Sequence, residues 1–471
     1  MRINSFLITW VWVVLAAWPV GSAKAQTFTK VADFQSSIPT GTGTFTDLGH
    51  GEISGSNVVF YGTGSNSQKG IYLWNGTALS KVADLNTPIP GGTGNFTNIT
   101  FYAYSVNGST VVFTANGTIS AAAGLGIYQS VNGGALSNIV STATNSPLGG
   151  KFALFSPGSI AENGSVIFGS TSSSGAPGIF SASNGVINTI IASNTVLPIL
   201  GNPNFGAGGV DFVVYDSGKL AFTAYSPPEG IVSYAGGTLY DIADPNITMP
   251  DFGVKFTTNF FSSPPAINGT TVVFSAFVNL SGFKYGVYKA NIDGSGLTTL
   301  VDSLMTAPGT TNKYGSINSF NYSGGTLVFT ANTTNQPGVY MLVGGAFSNV
   351  LVPGATLNSK TVKSASAGGF DGNNAVLLVT FTDNSKALYT TALGTPVANS
   401  SFTSRVVTPG GFQMNLSLTA GQNYRLQGTT NVADSATWST LTNISTAPAS
   451  LQYTDSTATN LQLRFYRVVS P

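Results

Sequence analysis

The chain of 471 residues has no cysteine, one histidine and three glutamates, and only 7% of its residues are charged. Each scarcity excludes something. Without cysteine, no disulfide contributes to stability. A secreted eukaryotic protein of this length would ordinarily carry some, so the composition points to a bacterial origin. With His50 as the sole histidine, a His-rich metal site cannot form. Set in Leu48-Gly49-His50-Gly51, this histidine reads as an inner-strand or turn residue rather than a lone base. A net charge of +1 without clustered Lys and Arg argues against nucleic acid and against an anionic membrane surface. There is no Gly-x-Ser-x-Gly elbow and no Walker A loop. Arginine is missing between residues 3 and 404, then appears at Arg405, Arg425, Arg464 and Arg467.

The first 25 residues read as a cleaved secretory signal peptide. Arg2 supplies the positive start, Phe6 to Val20 is uncharged and apolar, and Ala23-Lys24-Ala25 is a small-x-small cleavage site that leaves Gln26 first. The apolar stretch is shorter than a bilayer span of ~20 residues, and no later segment is long and apolar enough. The protein is therefore expected outside the cytoplasm: secreted, on the cell surface or in the periplasm.

From residue 27 to 394 one pattern recurs seven times. Segments of the form apolar-x-x-apolar-apolar begin at Phe28, Leu79, Leu136, Ile187, Leu239, Leu297 and Phe347. A second mark, an apolar run closed by an aromatic, ends at Phe60, Phe113, Phe168, Phe222, Phe274 and Phe329, with Val379 in the seventh place. A third is Gly70-Ile71-Tyr72 and its kin, down to Ala387-Leu388-Tyr389. A fourth opens the units with an aromatic, at Phe45, Phe96, Phe152, Phe205, Phe256 and Tyr314. Each unit thus holds four short runs, a to d, rich in residues that suit a pleated surface. Turn dipeptides such as Asn107-Gly108 and Asn268-Gly269 separate a from b, and Asn75-Gly76 and Asn184-Gly185 separate c from d; both kinds tolerate the positive φ of tight hairpins.

Four-stranded units of about fifty residues predict a seven-bladed β-propeller. The array begins with a d-type run, Phe28 to Asp33, and ends on a c-type run with no d after it. The leading run is expected to complete the last blade and so remove an open seam. Beyond a linker at 395–404, Phe412, Met414, Leu416 and Leu418 alternate as in a half-buried strand. Residues 405–471 predict a small fibronectin- or immunoglobulin-like β-sandwich with Trp438 in its core.

Two resemblances follow. The stretch from Val82-Ala83-Asp84 through Thr87-Pro88-Ile89-Pro90-Gly91-Gly92 to Phe96 resembles an uncharacterised family of secreted bacterial propeller repeats. The copies beginning at Leu136, Ile187 and Phe347 lack the signature Asp. The C-terminal segment, through Tyr424-Arg425-Leu426, Thr430-Asn431, Trp438 and Arg464-Phe465-Tyr466-Arg467-Val468, resembles a β-sandwich found at the ends of bacterial exported proteins. Neither resemblance implies an activity.

No residue is assigned to catalysis, a cofactor or a metal, and the binding residues are unknown. Asp33, Asp84, Asp244 and Asp302 open the d–a loops and read as turn caps rather than cation ligands. Asp293-Gly294-Ser295-Gly296 reads as a c–d turn rather than a calcium loop. Of the three glutamates, Glu52 and Glu162 fall near a–b hairpins and Glu229 in a b–c loop on the opposite face. Trp74 reads as a hairpin cover, and Phe101, Tyr102 and Tyr104 as inner-strand core. The long b–c and d–a loops and the channel mouth beside them are the expected ligand face. The expected function is that of a monomeric, non-catalytic binding or structural protein with a glycan or protein partner. The alternative is a polysaccharide hydrolase or lyase with carboxylates at the channel mouth.

Overall fold

The computed structural model describes residues 26–469 except 66–67, 120–121, 157–159, 163, 200, 202–203, 206–208, 226–228, 257–262, 281, 394–399, 409, 419–423, 432–436, 446–447, 449 and 461–463. The predicted leader and most of the predicted linker lie outside the described residues. Two compact units form, one of Gln26–Leu342 with Phe347–Leu393, the other including Gly394–Pro471. Nearly all regular structure is β, with no α-helix among the described residues.

In the larger unit each sequence copy becomes an antiparallel sheet. The first runs Phe45–Ser54, Asn57–Gly64, Lys69–Trp74 and Leu79–Asp84, each strand paired with the next. The second runs Thr93–Asn107, Thr110–Ile119, Ala122–Val131 and Ser137–Ser141. In the third the inner strand is broken into Phe152–Phe155 and Ile160–Glu162, both paired with Ser165–Ser172 and followed by Pro177–Ser183 and Val186–Ile191. The fourth runs Val210–Asp216, Lys219–Ala224, Gly230–Ala235 and Thr238–Ala243. A fifth spans Ala266–Asn268 to Thr298–Asp302, and a sixth Ile317–Ser323 to Ala346–Leu351.

The seventh sheet draws on both ends of the repeat array. Lys360–Phe370, Asn374–Phe381 and Lys386–Ala392 take Phe28–Asp33 as their outer strand. Phe28 stands opposite Thr391 and Asp33 opposite Ala387. Every sheet packs on the next, and the seventh packs on the first through Phe45–Ser54. The leading strand therefore covers the edge of Lys386–Ala392 that would otherwise offer unpaired backbone groups.

The aromatic marks of the sequence meet inside each sheet. Phe45 stands edge-on to Phe60 and Tyr72, at 5.8 and 5.0 Å. Phe96, Phe113 and Tyr128 repeat the arrangement, as do Phe256, Phe274 and Tyr288. All of these rings are buried. Edge-to-face pairs contribute about 0.5–1.5 kcal/mol beyond their burial, so the opening aromatic staples strands b and c of its own sheet. Between sheets lie Val, Ile and Leu: Val59, Leu73 and Val82 of the first meet Val111 and Phe113 of the second.

At the junction of first and seventh sheets the backbones come very close. A Cβ at Gly368 would overlap the carbonyl of Gly51, and one at Gly369 would fall 2.7 Å from the Glu52 carboxyl. Only glycine fits there.

In the C-terminal unit Ser400–Thr408, Gly411–Leu418 and Ser450–Asp455 form one three-stranded sheet, and Ser439–Ile444, Tyr424–Thr429 and Phe465–Val469 another. Met414, Leu416, Tyr424, Leu426 and Ile444 build an apolar cluster from both. Here the structure departs from expectation. Trp438 is only half-buried and lies outside that cluster, with the Arg467 guanidinium 4.2 Å above its ring. The rings in and around this cluster are Tyr424, Phe402, Phe412, Tyr453 and Tyr466, with Tyr466 stacked on Phe412 at 5.1 Å.

Candidate functional site

The signature loops are committed to packing. Asp84 accepts hydrogen bonds at one oxygen from the Asn86 amide and the Thr87 hydroxyl, and at the other from Gln68. Lys81 completes the set at 3.3 Å. Burial alone would raise the Asp84 carboxyl, but these bonds outweigh it and hold the group below its ordinary range. Asp33 repeats the turn with Gln35, Ser36 and Lys30. Asp244 and Asp302 cap the amides two residues on. Further along each loop an apolar residue plugs the sheet. Ile38 and Ile89 are 4% and 5% exposed, and a Cβ at Gly64 or Gly117 would overlap their side chains. The Pro-Ile-Pro-Gly-Gly motif is thus a turn with a plug. Asp293 accepts from both the amide and the hydroxyl of Ser295 in a c–d turn.

The remaining sequence candidates scatter. The His50 ring hydrogen-bonds the Ala367 backbone across the junction of first and seventh sheets, and its own carbonyl accepts from the Tyr104 hydroxyl. Burial, first of all, lowers its basicity. Glu52 lies at the same junction against Gly369, where burial pushes its carboxyl up to about 7. Glu229 is buried just before Gly230–Ala235. Trp74 ends its strand half-buried against the core of the first sheet. The side chains of Phe101 and Tyr102 lie outside the described residues.

Glu162 belongs to a chain of contacts that the sequence reading missed. The residue closing strand a of one sheet accepts a hydrogen bond from the a–b turn of the next. Ser54 accepts from the Gly108 amide at 2.9 Å, Glu162 from Ser217 at 3.3 Å, and Asp216 from Gly269 at 2.5 Å. Asn268 accepts from Gly324 at 3.1 Å, and Asp371 of the seventh sheet from Gly55 of the first at 2.8 Å. The signal was available: the residue before each turn is Ser54, Asn107, Glu162, Asp216, Asn268, Ser323 or Asp371, an oxygen acceptor every time.

Beside Glu162 a cleft of about 290 Å³ opens between the third and fourth sheets. It lies on the side of the tight turns, since Glu162 and Gly218 line it. Ile167, Ile190 and Leu220 give it apolar lining; Ser165, Ser181, Tyr215 and Tyr234 add four hydroxyls. Strand pairing sets Ser181 one residue past Phe180, which faces Phe168, just as Leu73 follows Tyr72, which faces Phe60. That position varies from copy to copy, with Leu73 in the first sheet, Gln129 in the second and serine in both the third and fourth, and it is Ser181 of the third that lines the cleft. Tyr215 and Tyr234, both paired with Leu220, supply its far side. At the lower end of the ligand-pocket range, such a volume suits one ring or one side chain.

Sheet four departs from the repeat again at Asp241. It stands where Lys81 stands in the first sheet, three residues before the capping aspartate, and it contacts Asp244. Burial first, then the charge of Asp244, push Asp241 up to about 7. Nearby in sequence, Asp251 takes the Tyr288 hydroxyl at 3.1 Å, and burial raises it to about 6. Among the described residues no three His, Cys, Asp or Glu side chains are grouped to hold a metal ion.

A family-wide sequence profile covers residues 16–341, more than two thirds of the chain. The chain belongs to DUF7453, a family of unknown function. The DUF7453 stretch contains every residue that lines the cleft and both of the regular signature loops. Comparison with curated proteins gives no match. Among solved structures, the β-propeller domain of the Trilobed protease from Pyrococcus furiosus is similar over 74% of this chain and 94% of its own, with 10% identity and a TM-score of 0.45. The polysaccharide lyase Uly1 is similar over 78% and 99%, with 11% identity and a TM-score of 0.44. The GH74 xyloglucanase from Xanthomonas campestris is similar over 83% of this chain and 59% of its own, with 11% identity and a TM-score of 0.40.

Proposed function

We propose that this DUF7453 protein is an exported, non-catalytic binding protein. On this reading a leader of residues 1–25 directs export, residues 26–394 form a seven-bladed propeller, and residues 405–471 form a β-sandwich that serves as spacer or attachment module. The ligand is a glycan, and one ring of it enters the cleft between the third and fourth sheets. The make-up of that cleft carries the proposal. A pyranose ring has an apolar face and a hydroxylated rim, and the cleft combines the apolar side chains of Ile167, Ile190 and Leu220 with the polar groups of Ser165, Ser181, Tyr215, Tyr234 and Glu162. Binding is preferred to bond cleavage because the described lining holds one carboxylate, where glycoside hydrolysis generally uses a facing pair.

Titrating the purified protein on a glycan array and on a polysaccharide depolymerisation panel tests this. Binding without release of reducing or unsaturated ends, lost in Tyr215→Ala and Tyr234→Ala, is the expected result. Chain cleavage abolished by substitution of Glu162 or Glu52 would replace it with the enzymatic reading.

A further inference from the structure

The charge of the cleft narrows the ligand class, and this inference rests on the binding reading above. We infer that the cleft selects a ligand carrying an ammonium group, and that Glu162 is the residue that selects it. Three observations converge. First, Glu162 is the only carboxylic acid among the described lining residues, and these include no lysine, arginine or histidine. Second, the main-chain contact of Glu162 leaves it capacity to spare: one oxygen takes the Ser217 amide at 3.3 Å, and a carboxylate accepts several hydrogen bonds. Third, the two aromatic residues of the lining, Tyr215 and Tyr234, are half-buried, and aromatic faces attract cations beyond ordinary packing.

A carboxylate in a partly dry cleft discriminates by sign. An ammonium gains an ion pair and cation–π contact; a neutral ring gains hydrogen bonds alone; a uronate meets repulsion. The shared chemistry is the ammonium, which reaches a secreted protein either on a deacetylated amino sugar or on the alkylammonium of a lysine side chain. The hydroxyls of Ser165 and Ser181 suit the sugar better, since a lysine side chain has no hydroxylated rim for them to meet.

The full-length exported protein would be titrated calorimetrically at pH 6 with glucosamine, N-acetylglucosamine and galacturonate tetramers, and with free lysine methyl ester. Expected is binding of the glucosamine tetramer at least tenfold tighter than its acetylated counterpart, with the uronate weakest and the preference shrinking as salt is raised. Lysine methyl ester binding as tightly as the tetramer keeps the ammonium and transfers the source to a protein side chain. Glu162→Gln keeps an acceptor for the Ser217 amide, so its melting temperature should stay near wild type while the tenfold preference falls below twofold. Equal binding of amino and acetylated tetramers, or a preference that survives Glu162→Gln, overturns the inference and leaves glycan binding standing. No binding of any oligosaccharide or amine overturns both.

Discussion

The d strands of the first and fourth sheets use one position to opposite ends. In Leu79–Asp84, Lys81 lies three residues before Asp84 and forms an ion pair with it. In the fourth sheet the same position is Asp241, and a second carboxyl faces Asp244 instead. The position after the strand-c mark varies too, with Leu73 in the first sheet and Ser181, which lines the cleft, in the third. Where the repeat is kept, its residues cap, plug and pair; where it is broken, groups appear that the fold does not need. The departures, rather than the repeat itself, are where ligand chemistry should be sought.

The largest effect should come from the regular side. Deleting residues 27–33 removes the outer strand of the seventh sheet and bares the edge of Lys386–Ala392. Calorimetry should show the cooperative melting transition lost; an unchanged curve would mean that the leading strand does not hold the ring. Next, Asp84→Ala strips a 1%-exposed cap of its partners Asn86, Thr87, Gln68 and Lys81. About 2–3 kcal/mol of stability should go, measured by denaturant unfolding.

The buried acids should respond in the reverse sense. Asp241, Glu52 and Asp251 all have carboxyls raised in the fold, to about 7, 7 and 6. A raised acid binds its proton more tightly folded than unfolded, so its stabilising share is complete below roughly pH 4 and is lost as pH rises through the folded value. Asp33 and Asp84, whose carboxyls are lowered, act oppositely and lose their share as pH falls below roughly 4. Melting temperature should therefore peak in mildly acidic buffer and decline toward pH 8. Asp241→Lys, which restores the pair of the first sheet, should flatten that decline and add about 1 kcal/mol at pH 8, discounted for solvent screening. A wild-type profile flat from pH 5 to 8 would show that these carboxyls are not raised.

Smaller on stability, and sharper on function, is Ser181→Leu. It gives the third sheet the side chain of the first and should fill the cleft, abolishing ligand binding while unfolding midpoints move by less than about 1 kcal/mol. Retained affinity would place the ligand elsewhere. The smallest change is expected for Asp216→Ala, which removes two exposed contacts, from the Gly269 amide and the Ser217 hydroxyl, and should cost about 0.5–1 kcal/mol.

Much of the fold was legible in the chain. The four marks predicted the strands, Asn-Gly and its relatives predicted the hairpins, and the leading Phe28–Asp33 predicted the pairing seen with Lys386–Ala392. The Asp caps were legible too, because an Asx turn depends on residues two and three positions away. Trp438 carries the Arg467 guanidinium instead of joining the core, and an aromatic just before a strand looks alike in sequence in either role. The cleft was not legible, and the expected ligand face lay on the other set of loops. Its lining comes from two repeats, and nothing in the order of residues says that Ser181 will face the tyrosines of the following sheet.

Periodicity determined by itself how this polypeptide divides into strands, hairpins and capped loops, because those depend on neighbours a few residues apart. Tertiary structure alone decided which side chains from successive copies meet: the girdle from Ser54 to Asp371 and the hollow beside Glu162. The physical reason is distance along the chain. Groups some fifty residues apart become neighbours only when whole sheets pack, and a single small or acidic residue then changes what lies between them.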